Sequence, residues 1–528
     1  MTGAGRARIL PWFLLGAWTL VLLSWRPLAD PPLLSWSIGG WGDPGIYLMD
    51  ARQYALFGEI RLSESHSPIM APLFFLAETA VFSLFGPGRG TALLVPIMGW
   101  LILMACVYRI CFRSGPARPV CLLPVLLQTS AVLLTGIREP RGDLLALAFF
   151  ALGMTFLLDS TRPESGRGYS LFAGGFFLGL APLAKAHAVV GSSGAALFFI
   201  AGIFQDGNSD RGRMCRAFLS GIAGSIILGG AYFLVLSRMS ADGFSISSIP
   251  DLLAFVLTPG KTETAGSPFN ILRFVESNII IREPVLFFIG LWSVARLTKK
   301  PFSKNALLIL GPVIFWIAVL SMARYDPLRY RMPLLVLFIL AAREAFQTDV
   351  PARTRSELTF AIGLFLHGLF FWLLNRLNQP AWMALAASAC LAVLAWKILP
   401  KKIPMAKTGT ILLSIGIAFQ VIQSTYFIMS AGEEIRDAGA VVAREALPRH
   451  AVLTGFWAPL LAMDSPYPIR RSIRVATGPV PTHIIEETGF FDALPEDIVV
   501  LEISRVRLPR INKTIVVGQI QDHSKPAP

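Results

Sequence analysis

Residues 135–158 read TGIREPRGDLLALAFFALGMTFLL. Four charges and a proline crowd into Arg138–Asp143, and the fifteen residues that follow carry no charge. A charged side chain in the hydrocarbon interior costs several kcal/mol, so this boundary marks a membrane surface, with a span beginning at about residue 142. Similar apolar runs lie at approximately 9–28, 90–112, 118–136, 170–184, 188–204, 217–237, 283–298, 305–322, 332–346, 357–375, 380–398 and 408–428. Most approach the roughly 20 helical residues that cross a core of about 30 Å. Composition agrees. Of 528 residues 54% are hydrophobic and 15% charged, where a soluble domain carries about 25% charged residues; mean hydropathy is +0.60. The expected fold class is an all-α polytopic membrane protein. The run at 9–28 lacks a small-residue cleavage site and reads as a retained span.

The net charge of +14 is an orientation signal and not a nucleic-acid footprint. The basic loops RICFRSGPAR, TRPESGRG, RGRMCR, RLTKKPFSK, VPARTR and LPKKIPMAK fall between alternate pairs of runs, which places them in the cytoplasm with Arg6 and Arg8. The segment 68–86 disturbs the alternation, because a crossing there would turn every later basic loop outward. It carries Pro68, Pro72 and Glu78, and reads as an interfacial helix; the competing reading is a true span with weak charge asymmetry. The expectation is 13 spans, N-terminus inside, C-terminus outside. Residues 1–429 form the transmembrane region, with a first outer loop at 29–89. Residues 430–528 form a small soluble α/β domain on the outer side: a helix in AGEEIRDAGAVVAREALPRH, then strand-like AVLTG, IRVATG, DIVVLEI and KTIVVGQI. The five cysteines lie in spans or cytoplasmic loops, so neither a disulfide framework nor a metal-thiolate site is expected.

Acidic residues gather at the outer ends of spans. Gly42-Asp43-Pro44-Gly45 reads as a turn leading into a short surface helix from Ile46 to Phe57. Asp43 is there either an N-cap or a general base aimed at a substrate held at the interface. Glu139 and Asp143 lie in the next outer turn, on the same side by the charge-derived orientation. They are a solvated ion-paired turn, or paired acids suited to base catalysis or to holding a divalent cation by hard oxygen ligands. Lys185 and His187 interrupt GLAPLAKAHAVVG; a lysine there snorkels to headgroups or meets an anion. Arg324, Arg329, Tyr330 and Arg331 crowd an outer loop against the orientation trend. They are a headgroup anchor or a phosphate site, since the guanidinium fork pairs phosphate oxygens bidentately. His66 is polar surface or a ligand of metal or phosphate.

The stretches GDPGIYLMDARQYALFGE, HSPIMAPLFFLAETAVFSLFG, REPRGDLLALAFFALG, GLAPLAKAHAVV and RYDPLRYRMPLLVLFILAA resemble, in order and spacing over about residues 9–345, the polyprenyl-phosphate-dependent GT-C glycosyltransferases. The closer likeness is to the branch of protein O-mannosyltransferases and the bacterial aminoarabinose transferase acting on lipid A. The resemblance implies Asp43 as catalytic base, with Asp143 or Glu139 as the second acid. It places Lys185, Arg329 and Tyr330 near the lipid phosphate. It also implies a polyprenyl-phosphate sugar donor and a lipid, glycan or protein acceptor at the outer face of a bacterial inner membrane. Relatives often have Lys-Pro-Pro where this chain has His66-Ser67-Pro68, so one phosphate-contacting lysine is missing. Rival classes are a polysaccharide ligase or polymerase, which depends mainly on outer arginines, and a transporter or flippase. A transporter places ionisable groups and broken helices near the midplane, and the predicted span centres carry little charge beyond Glu78.

Overall fold

The structure, a computed structural model, describes residues 43–61, 67–112, 119–161, 167–205, 210–240, 283–298, 304–322, 332–347, 381–398, 405–429, 434–444, 450–470, 479–494, 498–508 and 513–522, with a few isolated positions. The runs at 9–28 and most of 357–375 lie outside these residues. Helices occupy the remaining predicted runs. They are α3 (Leu94–Phe112), α4 (Leu123–Gln128), α5 (Ala131–Arg138), α6 (Asp143–Ser160), α7 (Arg167–Ala184), α8 (Val189–Gln205), α9 (Arg211–Met239), α10 (Pro284–Leu297), α11 (Lys304–Met322), α12 (Met332–Gln347), α13 (Ala381–Ile398) and α14 (Met405–Met429). Among the described residues five helices are long and apolar enough to cross a membrane, or six when α4 and α5 count as one broken span. The chain is a helical membrane protein; the described residues do not establish the expected 13 crossings.

One predicted span is not continuous. In place of a single helix over 118–136, α4 and α5 meet at 43°. Thr129 and Ser130 cause the break. The Thr129 hydroxyl lies 3.1 Å from the carbonyl oxygens of both Val125 and Leu126. Ser130 takes an extended conformation, and its Oγ accepts from Leu133 N at 3.2 Å as the N-cap of α5. Such side-chain bonds compete with the helical ladder and restart it in a new direction.

Ahead of the spans lie α1 (Asp43–Phe57) and α2 (Pro72–Phe85), joined through a helical turn at Ser67–Met70. Sequence reading put a turn at Gly42–Gly45 and Asp43 before the helix; α1 instead begins at Asp43. Pro44 is tolerated because a first-turn residue has no helical partner for its N–H. Gly45 has a packing reason: a Cβ there would lie 2.6 Å from Leu460 N. The 14 residues of α2 span about 21 Å at 1.5 Å per residue, short of a full crossing. Its inner face buries Phe74, Phe75, Glu78 and Phe82, while Leu84 and Phe85 stay exposed.

The C-terminal residues form α15 (Glu434–Arg444), β1 (Leu453–Thr454), α16 (Ala458–Leu461), β2 (His483–Glu487), β3 (Ile498–Leu508) and β4 (Lys513–Asp522). The sheet order is β1-β2-β4-β3, with β1 parallel to β2 and the other pairs antiparallel. The runs AVLTG, DIVVLEI and KTIVVGQI become strands, whereas IRVATG falls almost wholly outside the described residues. Sequence reading missed β2, an inner strand of the sheet.

Two hydrophobic cores result, and α1 belongs to both. Leu48 and Ala51 pack into the membrane-helix core. Met49 packs with Ile435, Val442, Trp457 and Val517 beneath the sheet. Arg52, fully buried, makes the junction polar. Its Nε donates to Met463 O at 3.1 Å, and its Nη2 to Ser465 O and to Tyr467 O, the latter at 2.9 Å. Burial lowers its pKa to about 10, opposed by the charge of Asp464. Arg89 adds a second tie, with Nη2 donating to Ile435 O at 2.9 Å and Nε pairing with Asp464 at 3.5 Å.

Candidate active site

Three segments converge: α1, the turn between α5 and α6, and the break between α7 and α8. Asp43 opens α1, and of it the backbone position alone is described. Tyr47 and Asp50 follow at one and two helical turns, a spacing that lines residues along one face.

The break after α7 is set by Lys185, whose extended backbone ends the helix before a short 3-10 turn, Ala186–Ala188. Lys185 does not snorkel. It is 3% exposed, and its Nζ lies 3.3 Å from the centroid of the Tyr47 ring. A cation over an aromatic face gains about 0.5–2 kcal/mol, the upper end when desolvated, and here it ties α1 to the span. Gly142 presses the neighbouring turn against the same break, since any side chain there would strike the carbonyl of Ala184. Asp143 is thereby brought to His187, its Oδ1 3.5 Å from Nε2. As the first residue of α6, Asp143 also sits where helix dipoles favour an anion.

Glu139 pairs with Arg141 at 3.2 Å. The two predicted acids therefore have different partners: one meets an imidazole, the other a guanidinium. No group of three or more His, Cys, Asp or Glu side chains placed to hold a metal ion occurs among the described residues. Asp143 and Glu139 are each engaged with a basic group.

Asp143 and His187 line a small cavity closed by Trp316, Met332 and Pro333. Met332 and Pro333 open α12, the helix that follows the arginine-rich stretch in sequence. Arg324, Arg329, Tyr330 and Arg331 themselves lie outside the described residues, as does His66. The residue after His66 is placed: Ser67 N donates to Asp50 Oδ2 at 3.1 Å. Beside Asp50 a cleft runs between α1 and the C-terminal domain, lined by Gln53, Glu59, Arg61, Ile469 and Arg470 among others.

Sequence reading did not assign Tyr47 or Arg141 a role. Tyr47 had a usable signal, being four residues from Asp43 on a surface helix. Arg141 had none, because its burial follows from packing of the turn.

Comparison with solved structures settles the fold. ArnT from Cupriavidus metallidurans in the apo state aligns over 96% of this chain and 97% of its own, at 15% identity and a TM-score of 0.63. The same protein bound to undecaprenyl phosphate aligns over the same shares, at 14% identity and a TM-score of 0.64. The chain has the GT-C fold. The Archaeoglobus fulgidus oligosaccharyltransferase in the apo form aligns over 92% of this chain and 70% of its own, at 12% identity and a TM-score of 0.50. No family profile matches the chain, and no curated protein matches its sequence. At 96% coverage the likeness takes in both the helical body and the C-terminal sheet.

Proposed function

We propose that this chain is a membrane glycosyltransferase that moves a sugar from a polyprenyl-phosphate donor to an acceptor at the outer face of a bacterial inner membrane. The observation that carries the reading is Lys185, a buried cation held against Tyr47 beside the Asp143–His187 pair, on a frame like that of ArnT, which has been solved with undecaprenyl phosphate bound. A lysine at this position can also meet a lipid phosphate, whose oxygens pair strongly with an ammonium group.

The chemistry is displacement at the anomeric carbon. An acceptor hydroxyl or amine attacks that carbon and gives its proton to the Asp43 carboxylate, and the bond to the phosphate oxygen breaks. Negative charge grows on the departing polyprenyl phosphate. Lys185, His187 and the Arg324–Arg331 loop stabilise that charge. The cleft beside Asp50 lies two helical turns from Asp43, about 10 Å by helical rise, and offers the acceptor a place next to the C-terminal domain.

One observation favours a transporter as a second reading. The α4–α5 span is broken, and a buried acid, Glu283, lies at the break, contrary to the expectation that Glu78 is the main charged group at depth. Both Glu283 oxygens accept hydrogen bonds from the protein itself, which leaves the enzyme reading the stronger.

The test is transfer in proteoliposomes from a radiolabelled undecaprenyl-phosphate sugar, with release of undecaprenyl phosphate as readout. D43N should abolish release while the protein remains folded and membrane-inserted. Unchanged turnover removes Asp43 from the mechanism. Mass spectrometry of envelope glycolipids and glycans with and without the gene would then identify the acceptor.

A further inference from the structure

Glu283 joins three helices that are far apart in sequence. It precedes α10, is fully buried, and accepts three hydrogen bonds. Ser130 Oγ donates to Oε1 at 2.6 Å, Val132 N donates to the same oxygen at 2.8 Å, and Gln420 Nε2 donates to Oε2 at 2.7 Å. The network continues: Thr129 Oγ1 donates to Gln420 Oε1 at 3.1 Å, and Ser424 Oγ donates to Thr129 O at 2.6 Å. Glu283 therefore caps the broken span where α5 restarts, and fixes it to α14 through Gln420. An acid that only accepts, facing three groups that only donate to it, is a directional lock that an amide does not reproduce.

Each arm leads to the site. The eight residues of α5 end at Arg138, so they carry the Glu139–Asp143 turn that meets His187 and the Lys185 break. Helix α14 ends at Met429 and α15 begins at Glu434, and Ile435 of α15 is gripped by Arg89 from the first loop.

We propose that Glu283 is a positioning residue: it clamps α5 to α14, and so sets the Asp143 turn and the C-terminal domain in one fixed frame. It touches no substrate. The inference rests on the glycosyltransferase reading for its functional consequence, but the clamp itself is measured independently of that reading.

The experiment uses the full chain in nanodiscs and four variants: E283A, E283Q, Q420E and the swap E283Q/Q420E. Hydrogen–deuterium exchange reports the clamp, and undecaprenyl phosphate is the binding probe. E283A and E283Q should speed exchange both at 138–143 and along 409–426, and weaken probe binding roughly tenfold, the scale of one lost hydrogen bond to a charged group. Q420E sets two acids face to face and should do the same. In the swap, the carboxamide oxygen introduced at position 283 can accept from Ser130 and Val132. Its nitrogen then donates to the carboxylate introduced at position 420, whose second oxygen accepts from Thr129. Exchange and binding should return to near wild type. Where E283A fails to fold, E283Q and the swap carry the test. Faster exchange confined to 130–133, or a swap no better than its parents, overturns the clamp. Wild-type protein that does not bind undecaprenyl phosphate overturns the glycosyltransferase reading instead, and the exchange arm still judges the clamp.

Discussion

The candidate site and the Glu283 network solve the same problem, charge at a membrane, in opposite ways. At the site each charged group meets a side chain: Asp143 meets His187, Glu139 meets Arg141, and Lys185 meets the face of Tyr47. At the network one acid meets a hydroxyl, a backbone amide and a carboxamide, with no opposite charge among the partners given above. Pairings between side chains can be traded for a ligand phosphate, whereas a cap made of backbone and amide donors holds one geometry. The difference teaches which polar groups are poised to respond to substrate and which hold the frame still.

The comparison breaks most sharply at Asp43. D43N should lower transfer by roughly 10²- to 10⁴-fold, the range for a lost general base, with probe binding intact; a comparable loss of binding would make Asp43 a docking group. K185M comes next. It should weaken undecaprenyl phosphate binding by roughly ten- to a hundredfold, about 1.4–2.8 kcal/mol. Equal binding by K185M and wild type, read by native mass spectrometry, would return Lys185 to a purely structural contact with Tyr47. R52A tests the frame instead of the site. Loss of a buried cation and its bonds to three carbonyls should cost about 3 kcal/mol, seen as a lower thermal midpoint and as proteolysis between α14 and β1. Resistance to protease equal to wild type would deny Arg52 its part in docking.

The smallest expected effect concerns Glu78. Its oxygens are buried with no hydrogen-bond partner among the described residues, and burial holds its pKa well above the usual 4.5. The folded state therefore keeps a proton that the unfolded chain releases. Stability from this group is fully present below about pH 4.5 and declines as pH rises toward the elevated folded value. E78Q should remove that slope, so thermal midpoints of the two proteins should diverge in the variant's favour as pH increases. Parallel pH profiles would show that Glu78 finds a partner.

Much of the fold was legible because apolar runs bounded by charge have one physical solution in a bilayer. The site was legible only in part. Orientation alone put Asp143 and the Lys185–His187 break on the same side of the membrane; that they touch came from the structure. The break at Thr129–Ser130 was hidden, because two small hydroxyl residues do not interrupt hydrophobicity, only the backbone ladder. Glu283 stands at the first position of the apolar run 283–298 and drew no reading, its partners lying far off in the chain on either side, at 130–132 and at 420. Strand β2 was missed for a related reason: His483 and Glu486 are polar yet buried, and Glu486 accepts from Phe456 N at 2.6 Å, a satisfaction that periodicity cannot display.

The grip of Arg52 has an evolutionary corollary. Every atom it holds on the far side is a main-chain oxygen, and nearly all residue types present the same oxygen. The seat beneath the sheet is therefore indifferent to which side chains stand at 463, 465 and 467. A lineage could rewrite that surface wholesale, and with it the choice of molecule received there, without unseating the cap from the membrane body.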